Sequence, residues 1–479
     1  MRASPPIERP WAEPRRRHDL APRWAALAGV GLNLLLVYPG MMMWDSIDQL
    51  LQARAGKLND WHPPVMGFIW RWLDEVAAGP FPMLALQLCL GWAGAWLVVR
   101  AAGTRPTAGR IAVLWSALLF PPVACVMGFI VKDALLAGVL LFAFGFVPVV
   151  RTWRDGGARG RFTAGVAVLG GCLVLAAALR YNAIGAVWIT SAFAIHSLAA
   201  RPPRLVRSLG LGLVAAVGCA GLATRMNALL TDVPEHPWKS VAAYDIAGVA
   251  RGLGSVDFIA ADDRVALAGD TPGGEWTLER LQKGRRDWNH MLAAGLNVQP
   301  SPTLKRVWRQ AIRRHPGAYL AHRLESFAAN LGFSGDAASQ CVRLEPLTGF
   351  GDRDAAGVAT LLRHDYKLTA LQRGLRDTTV WLARRTCLFW PGLYLALGAG
   401  IALWSVRDVT RGAALPFFLA VSGLAQEATL VFLAPAVNYR YSHWLVISAW
   451  LSFLLVAVPA GGAAVARWRN ARSTAGTTP

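Results

Sequence analysis

The chain has 479 residues, of which 54% are hydrophobic and only 16% charged, with a net charge of +20. Soluble domains typically carry about 25% charged residues, so an ordinary soluble globular fold is excluded. The positive balance does not point to nucleic acid, because the arginines sit in short clusters between long apolar stretches, where they set membrane topology.

In chain order, a basic segment over 1–23 with Arg15, Arg16, Arg17 and Arg23 precedes the first apolar span, 24–42. The span is full length and ends at Tyr38-Pro39-Gly40-Met41, which is not a small-residue cleavage site, so an uncleaved first span is expected. A loop over 43–79 follows. Further spans are predicted at 80–99, 111–130, 134–150, 162–179, 183–200 and 208–224, then 386–404, 412–434 and 444–462. Each is long enough to cross a hydrocarbon core of about 30 Å at about 1.5 Å per residue.

The prediction is an all-α polytopic membrane protein with about ten transmembrane helices. The transmembrane modules are 24–224 and 384–464, the inserted domain is 225–383, and 465–479 is a tail. Arginine clusters alternate with nearly cation-free turns: Arg100, Arg105 and Arg110, Arg151 to Arg161, Arg201 to Arg207, Arg407 and Arg411, and the tail lie on one side. The positive-inside rule places that side, and both termini, in the cytoplasm. The chain is then a multi-pass protein of the cell membrane, a bacterial inner membrane by preference.

The 225–383 segment is expected to be a mainly helical extracytoplasmic domain. Leu304, Val307, Trp308, Ala311 and Ile312 form one apolar stripe, and after Pro316 a second begins with Tyr319, Leu320, Leu324 and Phe327. His315 and His322 are expected to serve its packing, and Asp270 to Glu275 to form a loop. Cys89, Cys125, Cys172 and Cys219 fall in apolar spans, and nothing forces Cys341 and Cys387 to pair. No CxxC or HExxH spacing appears, so a divalent metal has no support from ligand spacing.

The loop after the first span is the most informative. Asp45, Asp48, Gln49 and Gln52 share one helical face and Ile47, Leu50 and Leu51 the other, which predicts a short helix lying in the membrane surface. A second starts at Trp61-His62-Pro63-Pro64, with Val65, Phe68, Ile69, Trp72, Leu73 and Val76 as its apolar stripe. Read blandly, Asp45 is a helix N-cap and His62 an ordinary interfacial residue.

These residues resemble the GT-C superfamily of membrane glycosyltransferases. An acidic residue just after the first span, two surface helices, and Trp61-His62-Pro63-Pro64-Val65 are similar to the His-Pro-Pro-Leu stretch of protein O-mannosyltransferases and lipid A aminoarabinose transferases. The likeness covers the first 80 residues well and the helix layout loosely. Where many members carry an acidic pair, this chain has Asp45-Ser46. The resemblance implies transfer of a sugar from a polyprenyl-phosphate carrier to an acceptor glycan, lipid or protein on the outer face. The first-loop acid acts as base or orients the acceptor, and basic residues hold the carrier phosphate.

The predicted topology itself brings polar clusters from distant parts of the chain to that face: Trp44-Asp45-Ser46, Lys132-Asp133, Arg180-Tyr181-Asn182, and Asn438 to His443. Asp45 is the candidate catalytic carboxylate, and Lys132, Arg180 and Arg440 are the candidate phosphate-binding cations. Trp44, Asp48, His62, Asn182, Tyr439, Tyr441, His443 and Glu427 are candidate cavity residues. Each cation alternatively snorkels to lipid headgroups. Glu427, inside the ninth predicted span, either pairs structurally within the bundle or joins the polar cavity. A transporter or lipid flippase is the competing function, although no internal symmetry of halves is visible. A non-catalytic envelope scaffold is the third.

Overall fold

The computed structural model describes residues 20–103, 107–268, 276–283, 300–333, 369–409 and 414–457. Among the described residues no strand forms, and the chain is an all-α, multi-pass membrane protein. Its helices are α1 Leu20–Val37, α2 Trp44–Ala55, α3 Val65–Val76, α4 Phe81–Ala101, α5 Thr107–Leu118, α6 Pro121–Met127, α7 Lys132–Asp155, α8 Arg159–Leu179, α9 Ile184–Leu198 and α10 Leu205–Leu230. They continue with α11 Trp238–Leu253, α12 Ala261–Ala268, α13 Leu278–Lys283, α14 Pro302–Arg314, α15 Pro316–Asn330, α16 Ala370–Arg385, α17 Pro391–Val409 and α18 Leu415–Leu433. A last helix, α19, is described over 443–457.

Among the described residues, six helices (α1, α4, α7, α8, α10 and α18) are long and apolar enough to cross a membrane, and α5 with α6 makes a seventh if their 62° bend is one broken span. The sequence led us to expect about ten. The expected span at 111–130 is broken before Pro121, since a proline disfavours the helical conformation in the residue preceding it. The α9 helix, at 15 residues, is too short to qualify. The expected Asp270–Glu275 loop, Cys341, Arg105 and the tail lie outside the described residues; Cys387 carries a free thiol.

The short helices of the first loop form as α2 and α3. The expected apolar stripe of α3 is divided: Val65 is buried and Ile69 and Leu73 pack against the core, whereas Phe68, Trp72 and Val76 are exposed, and Met66, Gly67 and Trp70, off the stripe, pack inward. Both faces of this helix are apolar, one for the bundle and one for its surroundings, which a stripe drawn on a single face misses.

The centre of the bundle is the α4–α7 pair. A Cβ on Gly94 would come within 2.4 Å of the Phe142 backbone nitrogen, and one on Gly145 within 2.8 Å of the Gly94 carbonyl oxygen. Small residues let the two backbones touch, the usual means of helix association where lipid removes the hydrophobic drive. Gly94→Ala is therefore expected to destabilise the protein by about 1–3 kcal/mol through overpacking. Gly160→Ala, where nothing lies within 4 Å, is expected to be neutral or slightly stabilising. Thermal unfolding in detergent compares the two.

A second core forms around α11. Tyr244, Ile246, Val249, Trp276, Leu281, Leu304, Val307 and Ala311 are buried there, with Trp61 of the first loop packed against it. Buried Asp245 joins it to the bundle: Arg323 donates to Asp245 at 2.7 Å through Nη2 and to the Ala434 carbonyl oxygen at 2.8 Å through Nη1. Trp308 Nε1 also donates to Asp245, at 2.8 Å. Asn330 Oδ1 accepts from the Asn438 backbone N–H at 2.8 Å. The segment 434–438, which leads into Arg440, is thus held from the second core.

Candidate active site

The site is assembled by backbone stitching. After α1 the chain runs beside 128–130: Met41 N–H donates to the Gly128 carbonyl at 3.0 Å, and Ile130 N–H to the Met41 carbonyl at 2.9 Å. Ser46 Oγ donates to the Ile130 carbonyl at 2.5 Å. Buried Gln87 donates to the carbonyls of Met127 and Phe129 at 2.8 and 2.7 Å. These bonds satisfy backbone groups that no helix uses, as buried polar atoms require. They also set the first turn of α2, with Asp45, beside the first turn of α7, with Lys132 and Asp133.

Asp45 is not the N-cap that the bland reading expects. Met43 occupies that position and Asp45 lies in the first turn of the helix. Its carboxylate is free to turn to Arg440, whose Nη2 lies 2.5 Å from Oδ2, while Arg440 Nη1 meets Met43 Sδ at 2.7 Å. Burial alone would push the Asp45 carboxyl up. Arg440 foremost, with Lys132 beside it, more than offsets it and holds the group well below the usual carboxylate range.

Asp133 joins the two arginines. Arg180 Nη1 is 3.0 Å from Asp133 Oδ1, and Arg440 Nε is 3.9 Å from Asp133 Oδ2. The Tyr441 ring is flanked by both guanidinium groups, at 4.7 Å for Arg180 and 5.6 Å for Arg440. Asn182 Oδ1 accepts from Arg180 Nε at 3.2 Å. Lys132 Nζ lies 2.6 Å from His62 Nδ1, and His62 Nε2 lies 3.7 Å from Asp45 Oδ1. An ammonium donating to Nδ1 leaves the imidazole proton on Nε2, facing the carboxylate. Among the described residues no carboxylate comes within salt-bridge distance of Lys132.

Burial first, then the Lys132 ammonium, lowers His62 to about 3. A histidine ordinarily titrates near about 6.5, so the folded state keeps His62 neutral where the unfolded chain is protonated. The sign follows: above about pH 6.5 His62 has no effect on stability, and as pH falls from there toward about 3 it destabilises the fold by about 1.4 kcal/mol per pH unit. Wild type is expected to lose thermal stability faster than His62→Gln between pH 7 and pH 5, with equal slopes above pH 7.

The other expected residues are placed differently. Trp44 is exposed at the rim. Asp48 Oδ2 accepts from Gln52 Nε2 at 2.6 Å. Tyr439 turns from the cations, donating to the Pro122 carbonyl at 3.1 Å and packing on Phe389. Glu427 is buried and accepts from Ser442 Oγ at 2.9 Å, a link between α18 and the turn that carries Arg440 and Tyr441. His443 is fully buried, with neither ring nitrogen hydrogen-bonded among the described residues. Sequence reasoning placed Asp133 in a polar cluster but gave it no role, and did not single out Met43. Asp133 was visible as an acid in a helix first turn, where macrodipole stabilisation is a sufficient explanation, and only the fold shows two arginines meeting on it.

No protein-family model matches the chain, and no curated protein sequence matches it. Among solved structures it is loosely similar to an oligosaccharyltransferase of Archaeoglobus fulgidus tethered to an acceptor peptide, with 14% identity and a TM-score of 0.39 over 94% of this chain and 50% of that one. The same organism's AglB oligosaccharyltransferase, in complex with an inhibitory peptide and a dolichol-phosphate, gives 11% and 0.38 over 95% and 52%. ArnT from Cupriavidus metallidurans, bound to undecaprenyl phosphate, gives 16% and 0.34 over 95% and 80%. The chain spans about half the length of the two oligosaccharyltransferase chains. Likenesses this loose carry no argument about the reaction, which has to come from the chain's own residues.

Proposed function

We propose that this chain is a membrane glycosyltransferase of the GT-C kind, which takes a sugar from a polyprenyl-phosphate carrier and passes it to an acceptor on the outer face of the membrane. The observation that carries the reading is the meeting of Asp45, Asp133, Lys132, Arg180 and Arg440 at one end of the bundle, contributed by α2, α7, the α8–α9 turn and the α18–α19 turn. Two carboxylates and three cations leave an excess positive charge, and Lys132 rests on a neutral imidazole. An anion at this point would be held by charge-assisted hydrogen bonds.

The chemistry follows from the placement. The acceptor hydroxyl gives its proton to Asp45 and its oxygen bonds to the anomeric carbon of the sugar. The bond from that carbon to the phosphate oxygen breaks, and its electron pair leaves with the phosphate. Lys132, Arg180 and Arg440 stabilise the charge that gathers there. An Asp45 carboxylate held low by Arg440 is a weak base while the site is empty. A donor phosphate that shares Arg440 and Lys132 weakens their hold on Asp45 and makes it more basic, so donor binding readies the base.

The test uses purified protein in vesicles with a labelled undecaprenyl-phosphate sugar and a mixture of envelope glycans and lipids as acceptors. The reading expects free undecaprenyl phosphate and a labelled acceptor in equal amounts. Movement of intact labelled carrier between leaflets, with no cleavage of the sugar–phosphate bond, would replace the enzyme with a flippase.

A further inference from the structure

A line of cations and tryptophan rings leaves Asp45 and runs onto the second core. His62, which faces Asp45, follows Trp61 in the chain. Lys239 Nζ lies 5.7 Å from the Trp61 ring centroid. The residue before it, Trp238, lies beneath Lys305, whose Nζ is 4.9 Å from the ring centroid. From Lys305 the line continues along the exposed face of α14 through Arg309 and Arg313, each about 6 Å further on at about 1.5 Å per residue. A trough of about 510 Å³ lies over this face, lined by Lys305, Arg309, Gln310 and Arg313 among others.

The line is fixed in place. Asp60 Oδ1 accepts from the backbone N–H groups of Glu235 and His236, and the Leu58 N–H donates to Asp232 Oδ2 at 2.8 Å. These bonds join the loop that carries Trp61 and His62 to the segment that carries Trp238 and Lys239. Along α14, Arg306 pairs with Asp263 at 2.6 Å. Among the described residues, Lys305, Arg309 and Arg313 have no acidic partner within salt-bridge distance.

A basic amphipathic helix that inserts into an anionic membrane does so through a free apolar face. Here Leu304, Val307 and Ala311, which make that face, are buried in the second core. The cations therefore look outward on a rigid support, and their regular spacing suits a chain with repeated negative charges.

We propose that this line docks the acceptor, and that the acceptor is an extended anionic glycan lying along α14 with its reacting end at Asp45. The assignment rests on the glycosyl-transfer reading above and adds the acceptor's chemical class. The half-buried Trp61 and Trp238 supply apolar ring surface near the reacting end, and the α14 cations hold the chain beyond it by paired charges.

The experiment places the full-length protein in nanodiscs of zwitterionic lipid and titrates purified oligogalacturonate, with uncharged maltooligosaccharide alongside. The acidic glycan is expected to bind and the neutral one not. Arg309→Glu with Arg313→Glu should weaken binding about tenfold or more, and the corresponding Gln pair by a smaller factor. Undecaprenyl phosphate binding, followed in the same samples, should be unchanged, which shows that the fold and the donor site are intact. Equal oligogalacturonate binding by wild type and both variants overturns the proposal. So does a loss confined to binding of phosphatidylglycerol vesicles, which would make α14 a membrane contact. Glycan binding that depends on α14, with no sugar transfer to any acceptor, would remove the enzyme reading and leave the docking line standing. Transfer that is indifferent to both variants would do the reverse.

Discussion

Asp45→Asn is expected to reduce sugar transfer by about 10²–10⁴, the usual contribution of a positioned general base, while expression and helix content change little and thermal stability falls because Arg440 loses a counter-charge. The substitution is nearly isosteric, and the amide oxygen can still accept from Arg440, whose guanidinium lies 2.5 Å from the present carboxylate. Helix capping does not enter, because Met43 holds the cap position. What is lost is the negative charge and the ability to take the acceptor's proton. Donor binding should be kept or even tightened, since removing the carboxylate frees Arg440 for phosphate. Assays of carrier binding and of transfer on one preparation separate the two effects. Transfer close to the wild-type rate would reduce Asp45 to an ion-pair partner.

Arg440→Ala is expected to be the most damaging change among the cations, with transfer down by about 10²–10³, as for removal of a donor that stabilises developing charge. Arg440 touches Asp45 and Met43, approaches Asp133, and flanks Tyr441, so its loss leaves one carboxylate without its partner and the other with Arg180 alone. Arg440→Lys should recover only part of the activity, because a point charge cannot reach Asp45 and the phosphate through one planar fork. A double change, Asp45→Asn with Arg440→Gln, removes both members of the pair and avoids an uncompensated buried charge. It should restore much of the thermal stability lost in Arg440→Ala and none of the transfer. Recovery of transfer in the double variant would mean that the pair is structural.

The membrane character of the chain was legible from composition and apolar run length, because a bilayer of fixed thickness imposes a length that sequence displays directly. The break between α5 and α6 was written at Pro121-Pro122 but was masked by the apolar character on both sides of it. Asp45, Lys132, Arg180 and Arg440 stood out as charges at predicted helix ends. Their mutual distances depend on the α4–α7 contact and on the stitching of 41–46 to 127–130, which is carried by backbone carbonyls and so leaves little trace in residue identity. Tyr439 and Tyr441 show the limit of a motif-level reading. They are two residues apart in the same polar run, yet the tight turn over Tyr439–Ser442 sends one to the Pro122 carbonyl and the other between the arginines. Asp133, named with Lys132 in a polar cluster, was given no role because a first-turn aspartate already has an ordinary helical one.

The central claim is that Lys132, Arg180 and Arg440 hold one phosphate beside Asp45. The most direct measurement is a structure of the protein with undecaprenyl phosphate bound in a nanodisc. The account predicts the phosphate within hydrogen-bond distance, about 2.7–3.2 Å, of Arg440 and at least one of Lys132 and Arg180, with the Asp45 carboxylate facing the side from which an acceptor would approach. A phosphate seated elsewhere on the bundle, with the Asp45–Arg440 and Arg180–Asp133 pairs unchanged, would contradict it.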